Sequence, residues 1–249
     1  LFNFPTLALD WSIQTDYLFL QQPLHRQEIF DLPKDSLMKR IINFDLDSNL
    51  RQLMLASLLE KDLTSFDTTL MGNFREEIEE ILTLKELKST IHLQLHEARL
   101  HLASSYDLTK NAWIGTYDVN KALDQILMEN KGKLIYMDIW ATWCRPCLEE
   151  FKISREFKAS IDSKRIAFVY VGAQSNQPAW NAIINKYQLE GTHLFLDDHQ
   201  YDEFTKRYPI GFFPSYYLID AKGNTVNEVA NLSPSHPETV TMIQSLLNN

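Results

Sequence analysis

Residues 134–151 read LIYMDIWATWCRPCLEEF, which is an apolar run, then two cysteines, then the start of a helical pattern. The run 134–140 predicts a buried strand, and the residues that follow predict a helix. Cys144 and Cys147 are the only two cysteines of the chain. A Cys-x-x-Cys pair at the junction of a strand and a helix is typical of reversible thiol–disulfide chemistry.

The spacing of the two cysteines gives them different expected roles. Unpaired backbone N–H groups at the start of a helix stabilise an anion, so we expect Cys144 to be the thiolate nucleophile, with a pKa below the free value of about 8.5. Cys147, one turn further along, is expected to be shielded and to act as the resolving thiol. Pro146 can start a helix without losing a hydrogen bond. Arg145 adds a positive charge that should lower the thiol pKa and make the pair more oxidising.

Two other interpretations of the cysteine pair stay open at this point. A structural zinc site needs about four ligands, and the sequence contains no second pair of cysteines. A purely structural disulfide is also possible, although so short a loop constrains the unfolded chain little. The pattern favours redox chemistry over both.

Two segments of the chain resemble a known family. Residues 138–147, DIWATWCRPC, and residues 208–220, YPIGFFPSYYLID, with the turn 221–224 after them, resemble the TlpA/ResA-like thiol–disulfide oxidoreductases of bacterial cell envelopes, in the thioredoxin superfamily. The resemblance covers about residues 110–249. It implies an α/β thioredoxin-like fold: a central mixed sheet flanked by helices, with an inserted helix and strand at 178–196. The family commonly has a proline five residues after the second cysteine; this chain has Lys152 there, so no proline kink is expected.

The resemblance also implies a substrate-binding surface around the cysteines. Pro214 matches the cis-proline of the family. A cis X–Pro bond exposes the preceding backbone, here that of Phe213, to a substrate strand. The alternative is an ordinary trans proline at the start of a strand. The residues expected to contact substrate are Trp143, Arg145, Pro146 and Phe213.

Two carboxylates are candidates for the acid–base role. Asp138 lies six residues before Cys144, where thioredoxins place a buried aspartate, although many TlpA-like proteins have asparagine there. Burial in an apolar strand would raise its pKa, so that it could take the proton of Cys147. Glu150 lies one helical turn after Cys147 and matches a functional glutamate of ResA-like proteins. The alternative is a solvated helix residue like Glu149; we favour Asp138 as proton acceptor and Glu150 as a secondary tuner.

The rest of the second half alternates strands and helices. The expected strands are 133–140, 166–171, 193–196, 215–219 and 225–229, and the expected helices are 119–129, 145–160, 178–187 and 201–207. Ser235 is expected to cap a last helix that ends at Leu247, with Glu238 completing a capping box. Residues before 108 show helical spacing and no strand-like pattern of any length. We therefore expect an all-α N-terminal domain at residues 1–108 and the thioredoxin-like domain at residues 109–249.

In the first half, apolar positions recur with helical spacing. Helices are expected at 36–44, 48–59, 74–82 and 84–102, the first two capped by Ser36 and Ser48. The first thirty residues are expected to be extended or irregular. His92 and His96 are four apart on the longest helix, a spacing that can bind a metal, but partly exposed histidines are the simpler interpretation and no metal is expected. No motif assigns this half a role beyond embracing the redox domain or recognising a partner.

Composition limits the partners. The formal net charge of −9 and the lack of a basic tract argue against nucleic-acid binding. The sequence contains no run of about 18 apolar residues, so no membrane-spanning helix is predicted. The first residue is Leu1 rather than Met, which is compatible with a removed export signal or anchor. The family resemblance implies the periplasm or cell envelope.

The sequence therefore predicts a thiol–disulfide oxidoreductase that reduces protein disulfides. Its expected partners are a disulfide-containing protein substrate and a thiol protein that donates electrons, and no cofactor is expected beyond the Cys144–Cys147 disulfide. Two alternatives stay open. One is a disulfide oxidant or isomerase, and the other is a redox-sensing module that binds a partner.

Overall fold

The structure, a computed structural model, describes residues 33–43, 45–103, 111–161, 164–226 and 232–248. The chain divides into two compact units, Leu1–Leu100 and His101–Asn249. The domain boundary expected at 108 and the irregular segment expected over the first thirty residues both lie outside the described residues, so they stay predictions.

The described part of the first unit is helical. Its helices are α1 (Lys34–Asn43), α2 (Ser48–Thr64), α3 (Thr69–Asn73), α4 (Arg75–Ile81) and α5 (Lys85–Ala103). Helix α5 buries Ile91, Leu95 and Ala98, which recur with the helical spacing that the sequence predicted for this half of the chain. The expected helix 74–82 is α4, and a separate short helix, α3, precedes it.

The two serine caps expected in this unit are wrong. Helix α1 begins two residues before Ser36, and the carbonyl of Pro33 accepts the N–H groups of Ser36 and Leu37 at 2.9 and 3.1 Å. Helix α2 is capped by Asp47, whose carboxylate accepts the N–H groups of the second and third residues of the helix, at 2.9 and 3.2 Å. In α2 the residue before the serine supplies a carboxylate, which satisfies the free N–H groups at least as well.

The second unit contains one sheet with helices on its faces. Its strands are β1 (Ala112–Trp113), β2 (Leu134–Trp140), β3 (Ile166–Gly172), β4 (Thr192–Phe195), β5 (Ser215–Ile219) and β6 (Thr225–Val226). Its helices are α6 (Val119–Glu129), α7 (Arg145–Lys152), α8 (Ser154–Ala159), α9 (Gln177–Tyr187), α10 (Asp198–Arg207) and α11 (Pro237–Asn248). The strand expected at 225–229 is described only to Val226.

The sheet has the strand order β1-β4-β3-β2-β5-β6. Strand β2 lies in the centre, parallel to β3 and antiparallel to β5. Helix α9 and strand β4 form the inserted pair that the resemblance implied, and β4 pairs in parallel with β3. The thioredoxin-like fold is thus confirmed, and the short strand β1 at the sheet edge is an addition that the sequence pattern did not predict.

Strand β2 positions the candidate site. All seven of its residues are buried, as expected for a central strand with helices on both faces. Alternate residues point to opposite faces: Ile135, Met137 and Ile139 belong to one core cluster. On the other face the ring of Tyr136 packs on Phe157 of α8 and that of Trp140 packs on Phe151 of α7. Residue 138 therefore faces α7 and α8, the side of the sheet on which the cysteine helix lies.

The helix expected over 145–160 is interrupted at Ile153. There the backbone N–H of Ile153 bonds to the carbonyl of Glu150 at 3.3 Å, and the Ser154 hydroxyl donates to the carbonyl of Phe151 at 2.9 Å. Hydroxyls that bond to a carbonyl three or four residues back compete with the helical ladder and bend helices. The helix that begins beside the cysteines is therefore interrupted at Ile153, although residue 152 is lysine and not proline.

The cap expected for the last helix is also wrong. Helix α11 begins at Pro237, two residues after Ser235. Residue 236, and not Ser235, therefore directly precedes the helix. Both the backbone N–H and the hydroxyl of Ser235 donate to the carboxylate of Glu150. The capping box with Glu238 does not form, because Glu150 and not Glu238 accepts the backbone N–H of Ser235.

Close packing at Gly172 allows a stability prediction. A Cβ added at Gly172 would lie 2.1 Å from Nε1 and 2.4 Å from Cδ1 of Trp180, a fully buried ring. We expect Gly172→Ala to lower the free energy of unfolding by about 1–3 kcal/mol, the usual cost of overpacking a core, as measured by denaturant unfolding. Gly211→Ala is the control, because a Cβ there meets nothing within 4 Å; equal losses in both variants would contradict the packing argument.

Candidate active site

The two cysteines lie where the sequence placed them, between the end of β2 and the first turn of α7. They are joined by a disulfide, with Cα atoms 5.3 Å apart. Cys144 is the residue that caps α7, and its Sγ accepts the backbone N–H of Cys147 at 3.2 Å. Cys144 keeps 3% of its surface exposed and Cys147 none, so Cys144 is the sulfur that a second molecule can approach.

The loop before Cys144 is fixed by the turn that follows β3. The hydroxyl of Ser175 accepts the backbone N–H of Thr142 at 2.9 Å and donates to the carbonyl of Ala173 at 2.7 Å. The indole N–H of Trp143 donates to the carbonyl of Gln174 at 2.7 Å. Gln174 has a φ of 47°, the left-handed conformation. This turn therefore holds the two residues that directly precede Cys144.

An aromatic surface borders the disulfide loop. The rings of Trp143 and Phe213 meet edge to face, with centroids 5.6 Å apart. The Phe213–Pro214 peptide bond is cis, which confirms the expectation from the resemblance. Trp143 is 47% exposed, and Phe212, which the sequence analysis did not single out, is 71% exposed. Arg145 and Pro146 are also exposed on the first turn of α7.

Asp138 is buried in β2 between two tyrosines. Its partners in the sheet register are Tyr170 on β3 and Tyr216 on β5, and its Oδ1 has no hydrogen-bond partner among the described residues. Burial raises the pKa of Asp138 well above its usual value, the negative charge of Glu150 raises it further, and the positive charge of Lys158 opposes the rise. A carboxyl in this environment holds a proton tightly, as the sequence predicted.

Glu150 is tied to a distant segment of the chain. Its Oε2 accepts the backbone N–H of Ser235 at 2.9 Å and its Oε1 accepts the Ser235 hydroxyl at 2.6 Å. Glu149, the next residue back, instead forms an exposed ion pair with Lys152 at 2.6 Å. The alternative of an ordinary solvated glutamate therefore describes Glu149 and not Glu150.

Lys158 is a charged group of this region that the sequence analysis missed. Its Nζ lies over the rings of Phe168 and Tyr170, at 4.7 and 5.0 Å from their centroids, and donates to the carbonyl of Glu190. Burial lowers the pKa of Lys158 to about 8, against the opposing charges of Glu190 and Asp138. In the sequence, Lys158 looks like an ordinary charged helix residue, and nothing near it indicates that its amine contacts the rings of Phe168 and Tyr170 on β3.

The two histidines considered as metal ligands, His92 and His96, are both exposed on α5. The Nε2 of His92 lies 2.7 Å from Oε1 of Glu79, and Lys88 pairs with the same carboxylate at 2.7 Å. Within the residues that the structure describes, no group of three or more His, Cys, Asp or Glu side chains is arranged to hold a metal ion.

Taken together, the sheet order, the Cys-x-x-Cys pair at the start of α7 and the cis-proline before β5 define a thioredoxin-fold protein. A family model described as Redoxin matches residues 118–243. The chain belongs to this family, and the TlpA/ResA-like resemblance is confirmed.

Individual relatives match part of the chain. It is 27% identical over 103 residues to the thiol-disulfide oxidoreductase ResA of Bacillus anthracis, covering 41% of this chain and 58% of that protein. It is 24% identical over 123 residues to ResA of Bacillus subtilis, covering 49% and 62%. Among solved structures, the thioredoxin domain of a thiol-disulfide oxidoreductase from Bacteroides vulgatus is 20% identical, with a TM-score of 0.43, covering 49% of this chain and 84% of that one. The chain thus spans somewhat over half the length of the curated relatives it matches.

Proposed function

We propose that the protein is a thiol–disulfide oxidoreductase that reduces protein disulfides through Cys144 and Cys147. The observation that carries the proposal is the Cys144–Cys147 disulfide at the start of α7. The Sγ of Cys144 accepts the backbone N–H of Cys147. The aromatic surface of Trp143 and Phe213 borders this disulfide loop. Donation from the helix to this sulfur favours its thiolate once the disulfide is reduced. The names of the ResA relatives support the same activity.

The reaction proceeds in two exchanges. The Cys144 thiolate attacks one sulfur of a substrate disulfide that lies against the Phe213–Pro214 segment; an enzyme–substrate disulfide forms, and the other substrate sulfur leaves as a thiolate. In the form of the enzyme in which Asp138 is ionised, Cys147 then loses its proton to the Asp138 carboxylate and attacks Cys144, which forms the Cys144–Cys147 disulfide and releases the second substrate thiolate. Two electrons pass from the enzyme dithiol to the substrate, and no bound cofactor is needed.

The proposal implies partners and a location. The oxidised pair must be reduced again by a thiol protein that donates two electrons, and the substrate is a protein with an accessible disulfide. On the family resemblance we place the protein in the periplasm or cell envelope. Of the helices within the described ranges, none combines the length and apolar character that crossing a bilayer requires. For the first unit we propose a role in recognising one of these partners.

Disulfide oxidation is the second candidate function, and one observation favours it. The backbone N–H on Cys144 Sγ and the exposed Arg145 beside it both stabilise a thiolate, and stabilising the reduced form makes a couple more oxidising. The reduction potential separates the two functions: we expect about −270 to −230 mV for a reductase and about −120 mV for an oxidant. It is measured by equilibration with thiol buffers of known potential, followed by alkylation of free thiols.

A catalytic assay tests whether the protein is an enzyme at all. With dithiothreitol as the electron source, the protein should reduce insulin disulfides catalytically, as followed by precipitation of the freed B chain. A disulfide that can be cycled but does not turn over insulin or any other protein disulfide would favour the sensing module. A disulfide that cannot be cycled would leave a structural bridge.

Phe212 should contribute to substrate affinity. It is exposed next to Phe213 and so lies on the aromatic surface beside the disulfide, where an apolar side chain of a substrate would bury it. We expect Phe212→Ala to raise KM about three- to tenfold, the loss of part of an aromatic contact, with kcat and thermal stability unchanged. Met128→Ala is the matched control, because Met128 is also 71% exposed but lies near the opposite end of β2. The same rise in KM in both variants would show a non-specific effect.

A further inference from the structure

Ser235 binds both oxygens of the Glu150 carboxylate. Its backbone N–H and its hydroxyl each donate to a different oxygen, at 2.9 and 2.6 Å, across a sequence separation of 85 residues. Hydrogen bonds to an ionised carboxylate are stronger than neutral ones, and two of them fix its orientation as well as its distance. Ser235 is itself exposed, so its side chain is not part of the core.

The backbone around Ser235 is anchored to the core. The carbonyl of Leu232, a buried core residue, accepts the Tyr136 hydroxyl at 2.6 Å. The carbonyl of Ser233 accepts the hydroxyl of Thr239, at 2.8 Å, and the N–H of His236, at 3.0 Å. Since Tyr136 lies two residues before Asp138 on the same face of β2, Ser235 is held in register with the strand that carries the proposed proton acceptor.

The carboxylate that Ser235 holds acts electrostatically on the groups of this face. The negative charge of Glu150 contributes to the raised pKa of Asp138 and also to the raised pKa values of Tyr136 and Tyr216, although burial is the larger cause for each. From α8, the positive charge of Lys158 acts on Asp138 in the opposite direction. The proton affinity of Asp138 therefore depends on where the charge of Glu150 is placed.

We propose that Ser235 is a positioning residue of the redox site: it holds the Glu150 carboxylate on the Asp138 side of α7 and thereby sets how strongly Asp138 draws the proton from Cys147. This inference rests on the proposed function. Without the Ser235 hydroxyl, the Glu150 carboxylate can rotate into solvent, where water screens its charge. At a pH high enough to ionise Asp138, its carboxylate is then a weaker base, and the second exchange slows while the first does not.

The two exchanges can be timed separately with 5,5′-dithiobis(2-nitrobenzoate). Attack by Cys144 on this aromatic disulfide releases one coloured thiolate, and attack by Cys147 on the mixed disulfide releases the second. In rapid-mixing experiments on the reduced protein, at a pH high enough to ionise Asp138, we expect Ser235→Ala to slow the second release about three- to tenfold, a part of the 10²- to 10⁴-fold effect of general acid–base catalysis. The first release should be unchanged. Ser235→Thr, which keeps both donors, should restore the second rate.

A double-mutant cycle distinguishes positioning from a structural role. In a Glu150→Gln background there is no charge to position, so adding Ser235→Ala should leave the second rate unchanged. Ser160→Ala is the control, because its hydroxyl bonds only to a backbone carbonyl, that of Phe157 at 2.7 Å, and it should leave both rates unchanged.

Two outcomes overturn the inference, and they differ. If Ser235→Ala slows the second release equally in the wild-type protein and in the Glu150→Gln background, Ser235 acts on the fold and not through the charge of Glu150. If the wild-type protein releases no second thiolate, the proposed function itself fails, and the inference fails with it.

Discussion

Replacing Cys144 by serine should lower the rate of disulfide reduction by at least about 10³-fold, because a hydroxyl does not supply the thiolate that the first exchange requires. Replacing Cys147 by serine should leave the first exchange intact and stop the second. The Cys147→Ser protein should therefore accumulate as a mixed disulfide with its substrate, stable to non-reducing electrophoresis and released by dithiothreitol.

The exposure of the two cysteines supports the expected order, in which Cys144 reacts first and Cys147 second. Cys144 keeps a small exposed area and Cys147 has none, so a protein substrate can reach only the first. Loss of the disulfide itself should cost less than the about 3 kcal/mol of a 15-residue loop, so both variants should remain folded, as circular dichroism can verify. A trapped adduct in Cys144→Ser rather than in Cys147→Ser would reverse the roles assigned here.

Replacing Asp138 by asparagine should slow the second exchange by about 10- to 100-fold, within the range of general acid–base catalysis. Asparagine keeps the size of the side chain but cannot take the proton of Cys147. The second thiolate release in the 5,5′-dithiobis(2-nitrobenzoate) experiment measures this step directly. Glu149→Gln is the control, because it removes a carboxylate that is exposed and paired with Lys152; a comparable slowing in that variant would point to net charge and not to Asp138.

The same substitution should change how stability depends on pH. Because the folded-state pKa of Asp138 is raised above the usual value of 3.8, its contribution to stability is fully present below that value and is lost as pH rises through the folded pKa. Asp138→Asn removes this loss. In the oxidised protein, we expect the variant to gain stability relative to wild type as the pH is raised from about 3.5 to about 9. A constant difference across that range would mean that the proton on Asp138 is not linked to folding.

The elements that the sequence predicted well carry their signals locally. Helix α6 matches its expected bounds because Asp118 caps it, accepting two backbone N–H groups, and its apolar residues repeat with helical spacing. Strand β2 was predicted to within one residue because its seven buried positions are nearly all apolar. Strand β1 has only two residues, too few for any periodicity to show.

Some of the errors arise where a distant residue competes for a local group. By its neighbours in sequence Ser235 fits a capping box with Glu238, but its backbone N–H donates to Glu150, 85 residues away in the chain. The site follows the same rule. The cysteines, Asp138 and Pro214 belong to short motifs that the sequence shows directly, whereas Ser175, which holds the loop before Cys144, comes from a turn more than thirty residues away. Only the folded chain brings such residues to the site.

The interruption of the cysteine helix at Ile153 also bears on how such proteins diverge. The interruption here coincides with the hydrogen bond of a serine hydroxyl and a shortened backbone turn, without a proline. Selection can preserve the shape of this helix while its residues change, and a search pattern that requires the proline would overlook descendants that have kept the architecture.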